Sequence, residues 1–151
     1  MAVDVSLIKE LREKTGAGVA DCREALEEAC NDLKKAEEIL RKKGFEKAAK
    51  KADRDTNAGL IESYIHQGRV GVLVEVLCET DFVARTEEFK KLSHEIAMQI
   101  ASMNPKDVKA LEKQEYIRDP QKTISDLVKE EIAKFGENIT IGRFSRFELG
   151  K

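Results

Sequence analysis

Histidine, cysteine and proline are scarce in this chain: two, three and two residues respectively out of 151. His66 and His94 fall on different predicted elements with no nucleophile beside them, and a metal centre needs convergent ligands at short spacing. Neither a metal site nor a histidine-dependent catalytic centre is expected. Cys22 and Cys30 stand eight apart in a helical pattern, and Cys78 continues an apolar strand face. All three read as small buried hydrophobes of a reducing compartment. A long hydrophobic run is also missing, because Glu75 interrupts the longest candidate, so no membrane span is expected. The opening residues, MAVDVSLIKE, have no basic flank before an apolar stretch, and the expectation is a cytoplasmic protein. The P-loop, the dinucleotide-binding glycine pattern, the HExxH zinc motif and the nucleophile elbow are all absent. The chain reads as a protein that binds, with no cofactor, rather than as a chemical enzyme.

An excess of either charge is lacking too. Lys and Arg number 27 against 29 Asp and Glu, a net charge of −2, and such balance argues against a dedicated nucleic-acid binder. What is present is enough apolar residue, 41%, to build a real core. The length allows one medium domain, or a small one followed by a larger one.

The first forty-four residues read as three short helices. Ser6 is placed to cap the first, which turns Leu7, Ile8 and Leu11 inward and ends at TGAG, residues 15–18. The second puts Val19, Cys22, Leu26, Ala29 and Cys30 on one face. Asp32 caps a third, with Leu33, Ala36, Ile39 and Leu40 inward and Gly44 as its left-handed stop. Three such stripes can only be buried against one another, so a small bundle is predicted at the amino end. The segment 41–55 then reads as a charged helical connector outside the core. Seven of its residues from Arg41 to Arg54 are Lys or Arg and two are acidic.

From residue 58 the period changes to alternation. Runs 58–66 and 69–78 flank Gln67-Gly68 and read as a hairpin. Val70, Val72, Val74, Val76 and Cys78 line one face of the second run. Leu73, Glu75 and Leu77 line the other, which implies partial burial on both sides. Thr86 caps a helix carrying Phe89, Leu92, Ile96 and Ile100 as far as Asn104-Pro105. Residues 106–121 read as a short helix and a loop. A further helix carries Ile124, Leu127, Val128, Ile132 and Phe135 up to Gly136. The closing NITIGRFSRFEL alternates with a phase slip near Gly142, where a bulge would serve a third strand pairing with the hairpin. The predicted fold class is therefore α+β: a three-helix bundle, then a small antiparallel sheet with helices on one face. The predicted division is bundle plus connector over 1–54 and α+β core over 55–151.

Two segments stand out functionally. The stretch CETDFVART, residues 78–86, follows the apolar run and puts Phe82 beside Asp81 in a tight strand-to-helix connection. Phe82 either tucks under the following helix or is held out for a partner, and residue pattern alone leaves both open. The basic connector is either a patch for phosphates or an acidic surface, or a solvated helix face. It lacks interleaved aromatics that would stack on bases.

LIKELREKTGAGVADCREAL (7–26) resembles the amino-terminal module of the elongation factor Ts family, and ETDFVAR (79–85) is similar to that family's core signature. GRVGVLVE (68–75) and FGENITIGRFSRFELG (135–150) resemble its strand segments. The resemblance implies a ubiquitin-associated-like bundle and guanine-nucleotide exchange on elongation factor Tu. It assigns partner contacts to Asp81 and Phe82, pushed towards the GTPase's magnesium and phosphate site, and to their neighbours Thr80 and Val83. It adds Val19, Ala20, Arg23 and Lys51 on the bundle side, and His66. Family members usually carry extra helices where this chain is short, between about 105 and 122, and many have two core units where this chain has one. A single small sheet leaves an apolar edge or face with little to cover it. The resemblance implies that two copies can stand in for the internal duplication, so a homodimer is expected. A peptide-binding adaptor built on the bundle and an RNA-binding translation accessory using the connector are the two alternative functions.

Overall fold

The computed structural model describes residues 2–151. Helices α1 (Val5–Thr15), α2 (Val19–Glu28) and α3 (Leu33–Lys51) come first, followed by strands β1 (Ala58–His66) and β2 (Val70–Cys78). Then come α4 (Asp81–Ala84), α5 (Glu87–Met103), α6 (Val108–Lys113), β3 (Glu115–Tyr116), β4 (Asp119–Thr123), α7 (Ile124–Phe135) and β5 (Ile139–Glu148). The class is α+β, as the residue pattern predicts.

In the bundle, Leu11, Cys22, Ala25, Leu26, Ala29, Ala36 and Leu40 bury one another. Asp4, not Ser6, caps α1. Its carboxylate accepts from the Ser6 amide at 2.9 Å and the Ser6 hydroxyl at 2.8 Å, and this places Ser6 within the first turn. Cys30 is not on the buried face of α2. That helix stops at Glu28, and Cys30 and Asn31 adopt φ of 52° and 62°, swinging the thiol out to solvent. Val19 also faces outward, 52% exposed at the start of its helix.

Gly44 does not stop α3, which runs on to Lys51. A methyl group at Gly44 would meet Cβ of Ala133 on α7 at 3.3 Å, so the glycine serves close helix-to-helix approach. The connector is thus partly a core element. Ala36 and Leu40 of α3 belong to the bundle, whereas Ala48 is buried with the sheet and the later helices.

The hairpin turns through Gln67 and Gly68, with φ of 52° and 67°, and Arg69 N–H donates to the His66 carbonyl at 2.9 Å. Strand β5 adds to the far side of β2, giving the order β1-β2-β5, all antiparallel. Val74 pairs with Phe144 but Val76 with Ile141, so β5 carries one extra residue at the predicted bulge around Gly142. Val72, Val74, Val76 and Cys78 are buried beneath α5 and α7. The opposite face is open: Glu75 and Leu77 are half-buried there, but Leu73 is exposed, with Ile61, Ile65, Phe147 and Leu149. Partial burial on both sides holds only towards the Cys78 end.

Residues 106–121 form more than a helix and a loop. After α6 the chain makes the small β3–β4 ribbon, which α5 holds by two buried polar side chains. Gln99 Nε2 donates to the Glu115 carbonyl at 3.0 Å, and Gln99 Oε1 accepts from Ile117 N–H at 3.0 Å. Glu95 accepts the Tyr116 hydroxyl at 2.8 Å and pairs with Arg118 Nε at 2.6 Å. Burial and the Glu95 carboxylate push the Tyr116 phenol well up. Polar residues on a helix's inner face carry no apolar period, so residue pattern cannot announce this ribbon. Helix α7 then starts on a Thr123–Asp126 capping box that the residue pattern did not announce, and it stops at the predicted Gly136, which is left-handed.

Candidate protein-docking site

Strand β2 ends at buried Cys78, and the chain turns into α4, a single helical turn capped by Thr80, whose side chain accepts from Val83 N–H. One turn divides its residues cleanly. Ala84 is buried and Val83 half-buried against the core, which forces Asp81 and Phe82 outward. Phe82 is 88% exposed. The phenylalanine is held out.

Two residues of the α7–β5 turn hold that corner. Glu137 Oε1 accepts from the Glu79 and Thr80 amides at 3.2 and 3.0 Å, while Oε2 accepts from the Thr80 hydroxyl at 2.7 Å. Asn138, 3% exposed, donates its backbone N–H to the Glu79 carboxylate at 2.8 Å. Its side-chain amide donates to the carbonyls of Ala52 at 3.4 Å and Arg54 at 2.9 Å. Arg54 closes the circuit on Glu79 at 3.5 Å. The Cys78 thiol donates to the Thr80 carbonyl at 3.2 Å, and burial first, then the Glu137 carboxylate, pushes that thiol up, so it stays a protonated donor. Glu137 and Asn138 were missed by sequence reasoning. Their only signal is a polar pair between a helix-stopping glycine and an apolar strand.

The remaining predicted contacts lie in two other places. Val19, Ala20 and Arg23 are exposed on α2, which Asp21 ties to α3 through Lys47 at 3.3 Å. Lys51, one turn further along α3, accepts the Arg54 amide on its carbonyl at 3.0 Å, so it shares the corner that Asn138 holds. His66 is far from Phe82. Ala58 pairs with Cys78 and His66 with Val70, so the histidine stands at the opposite end of the hairpin. At about 3.3 Å per residue that separates it from the α4 corner by about 25 Å. A small molecule cannot touch all three places, but a folded protein can.

A cleft of about 620 Å³ runs between the α1–α2 turn, α3 and α7. Its charges are largely spent on each other, as in Lys14–Glu37 at 3.3 Å and Lys122–Glu130 at 2.9 Å. Among the described residues no group of three or more His, Cys, Asp or Glu side chains is placed to hold a metal ion. Among the same residues no helix is long and apolar enough to cross a membrane.

Comparison with known proteins places this sequence in a family. Residues 79–151 match the family described as "Elongation factor TS". The elongation factor Ts of Caldanaerobacter subterraneus subsp. tengcongensis is 48% identical over 195 aligned positions that take in 99% of this chain and 98% of that protein. The Thermotoga maritima protein of the same name is 45% identical, covering 100% and 98%. That of Coprothermobacter proteolyticus is 43% identical over the full length of both. The aligned spans exceed the 151 residues of this chain, so part of each relative has no counterpart here.

Proposed function

We propose that this chain, which belongs to the elongation factor Ts family, is a translation elongation factor that promotes GDP release from elongation factor Tu. It does so as a binding protein, without bond chemistry of its own. A factor that holds the GTPase more tightly when it is empty must lower its nucleotide affinity by the same ratio. That requires a rigid scaffold with a few groups reaching into the nucleotide site. The observation that carries the reading is the α4 corner: Phe82 stands 88% exposed beside Asp81 on a turn braced by Glu137. A solvated phenylalanine gains nothing for the free chain, and a braced one loses little entropy on insertion.

In this reading Phe82 wedges between elements of the GTPase close to its magnesium and phosphate site, and Asp81 alters the charge balance there. Thr80 and Val83 set the turn. Residues 1–54 act as bundle and connector, reaching the nucleotide-binding domain through Val19, Ala20, Arg23 and Lys51. Residues 55–151 act as the core that carries the wedge and His66. The open sheet face is the surface on which two copies pair.

Release of a fluorescent GDP analogue from elongation factor Tu tests the reading. Substoichiometric protein should accelerate release without hydrolysing GTP. A folded sample that gives no acceleration at any concentration sinks it.

A further inference from the structure

Tyr64 and His66 lie two apart on β1 and share its inner face, at the end of the hairpin remote from Phe82. The Tyr64 ring is half-buried against the core, while His66 is exposed. Tyr64 Oη stands 2.9 Å from His66 Nδ1. The phenol ring is met edge-on by His94 of α5, with centroids 5.6 Å apart at 88°, and lies 6.0 Å from the His66 ring at a tilt of 38°. An exposed histidine at a strand end ordinarily samples several rotamers and both neutral tautomers. Here a packed phenol within hydrogen-bond distance of Nδ1 limits the rotamer, and a phenol is a better donor than acceptor.

We infer that Tyr64 is a positioning residue for His66. Its hydroxyl donates to Nδ1 and holds the neutral imidazole in the tautomer with its proton on Nε2. That N–H is then aimed outward as a single donor for a carbonyl or carboxylate oxygen of the docked GTPase. The inference rests on the proposed role of His66 as a partner contact and deepens it. Packing alone accounts for the Tyr64 ring, since a phenylalanine would fill the same space. The hydroxyl needs another reason, and His66 supplies it. Fixing rotamer and tautomer before docking removes an ordering cost from association and slows dissociation.

The experiment has two arms. Imidazole nitrogen chemical shifts of the free protein, at a pH where the ring is neutral, read the His66 tautomer directly and need no variant. The expected result is Nε2 protonated and Nδ1 bare, becoming a mixture in Tyr64→Phe. The second arm measures dissociation of the complex with nucleotide-free elongation factor Tu. Tyr64→Phe is expected to speed dissociation roughly two- to tenfold, the range of one ordinary hydrogen bond. In a His66→Ala background the same change should add nothing. A wild-type proton on Nδ1 overturns the inference, as does a Tyr64→Phe effect that persists undiminished without His66. A tight wild-type complex in which His66→Ala is silent overturns it alone. A wild-type chain that forms no complex overturns it together with the exchange reading.

Discussion

Phe82 and Glu137 sit on opposite sides of one corner and divide its work. Phe82 touches little in the free chain, so Phe82→Ala is expected to change stability by under about 1 kcal/mol. A buried phenylalanine would cost about 3–5 kcal/mol instead. Catalysed GDP release should nonetheless fall by roughly tenfold or more, the signature of a lost aromatic anchor. Denaturant titration and nucleotide release on one preparation check both halves. A strongly destabilised variant whose folded fraction exchanges normally would show that the ring was packing. Glu137 is the converse case, because its carboxylate satisfies two amides and a hydroxyl at the corner. Glu137→Ala is expected to cost about 1–3 kcal/mol for the groups left unpaired. Hydrogen exchange at the Glu79 and Thr80 amides should quicken, and nucleotide-exchange activity should drop with the loosened corner. Unchanged protection at those two amides would refute the bracing role.

At the scale of elements, α7 is the piece on which the rest is hung. It packs against α3 through Gly44 and Ala133, and it contributes Ile124, Leu127, Val128 and Ile132 to the cluster under the sheet. That position strains one of its own residues. Burial holds the Glu131 carboxyl above the usual carboxylate range, only partly offset by Lys134 at 3.6 Å. A raised pKa means that the folded chain binds this proton more tightly than the unfolded chain. The site therefore penalises folding at neutral pH, and the penalty fades as pH falls through the raised value towards the ordinary one. Glu131→Gln should raise the thermal midpoint at pH 7. The gain should shrink with acidification and vanish once glutamate is protonated in both states. A midpoint difference that is constant with pH would show that burial of the charge is not the cause.

The molecule as a whole has one face that its own chain does not cover. Ile61, Ile65, Leu73, Phe147 and Leu149 lie exposed on the outer side of the β1-β2-β5 sheet, where Ile65 and Phe147 flank Gly71. A contiguous apolar surface of this kind on a small protein marks an interaction site. Pairing two copies through it would turn two half-covered sheets into a sandwich. Light scattering at tens of micromolar should give the mass of two chains, and Leu73→Lys should give the mass of one with the fold intact. A monomer mass for the unmodified chain would remove the proposed pairing.

Residue order alone was enough for much of what depends on near neighbours, although it put the first cap on Ser6 rather than Asp4 and Cys30 on a buried face. Helical and alternating periods, the Thr86 cap, the Gly136 stop, the Gln67-Gly68 turn and the phase slip near Gly142 can all be read over a few residues. The TDFV stretch was visible as a candidate site for the same reason, because a strand end running into a capped turn is local chemistry. Residue order could not settle the direction of Phe82. That depends on Val83 and Ala84 being claimed by a core assembled from distant segments, and on a carboxylate 57 residues away from Thr80. Gly44 illustrates the same limit, since a glycine in a helical pattern signals a stop unless another helix needs the space. Here α7 needs it, at 3.3 Å from a methyl group that is not there. Periodicity records which face of an element is buried. Only the assembled chain determines what it is buried against, and therefore which side chains are left free to meet a partner.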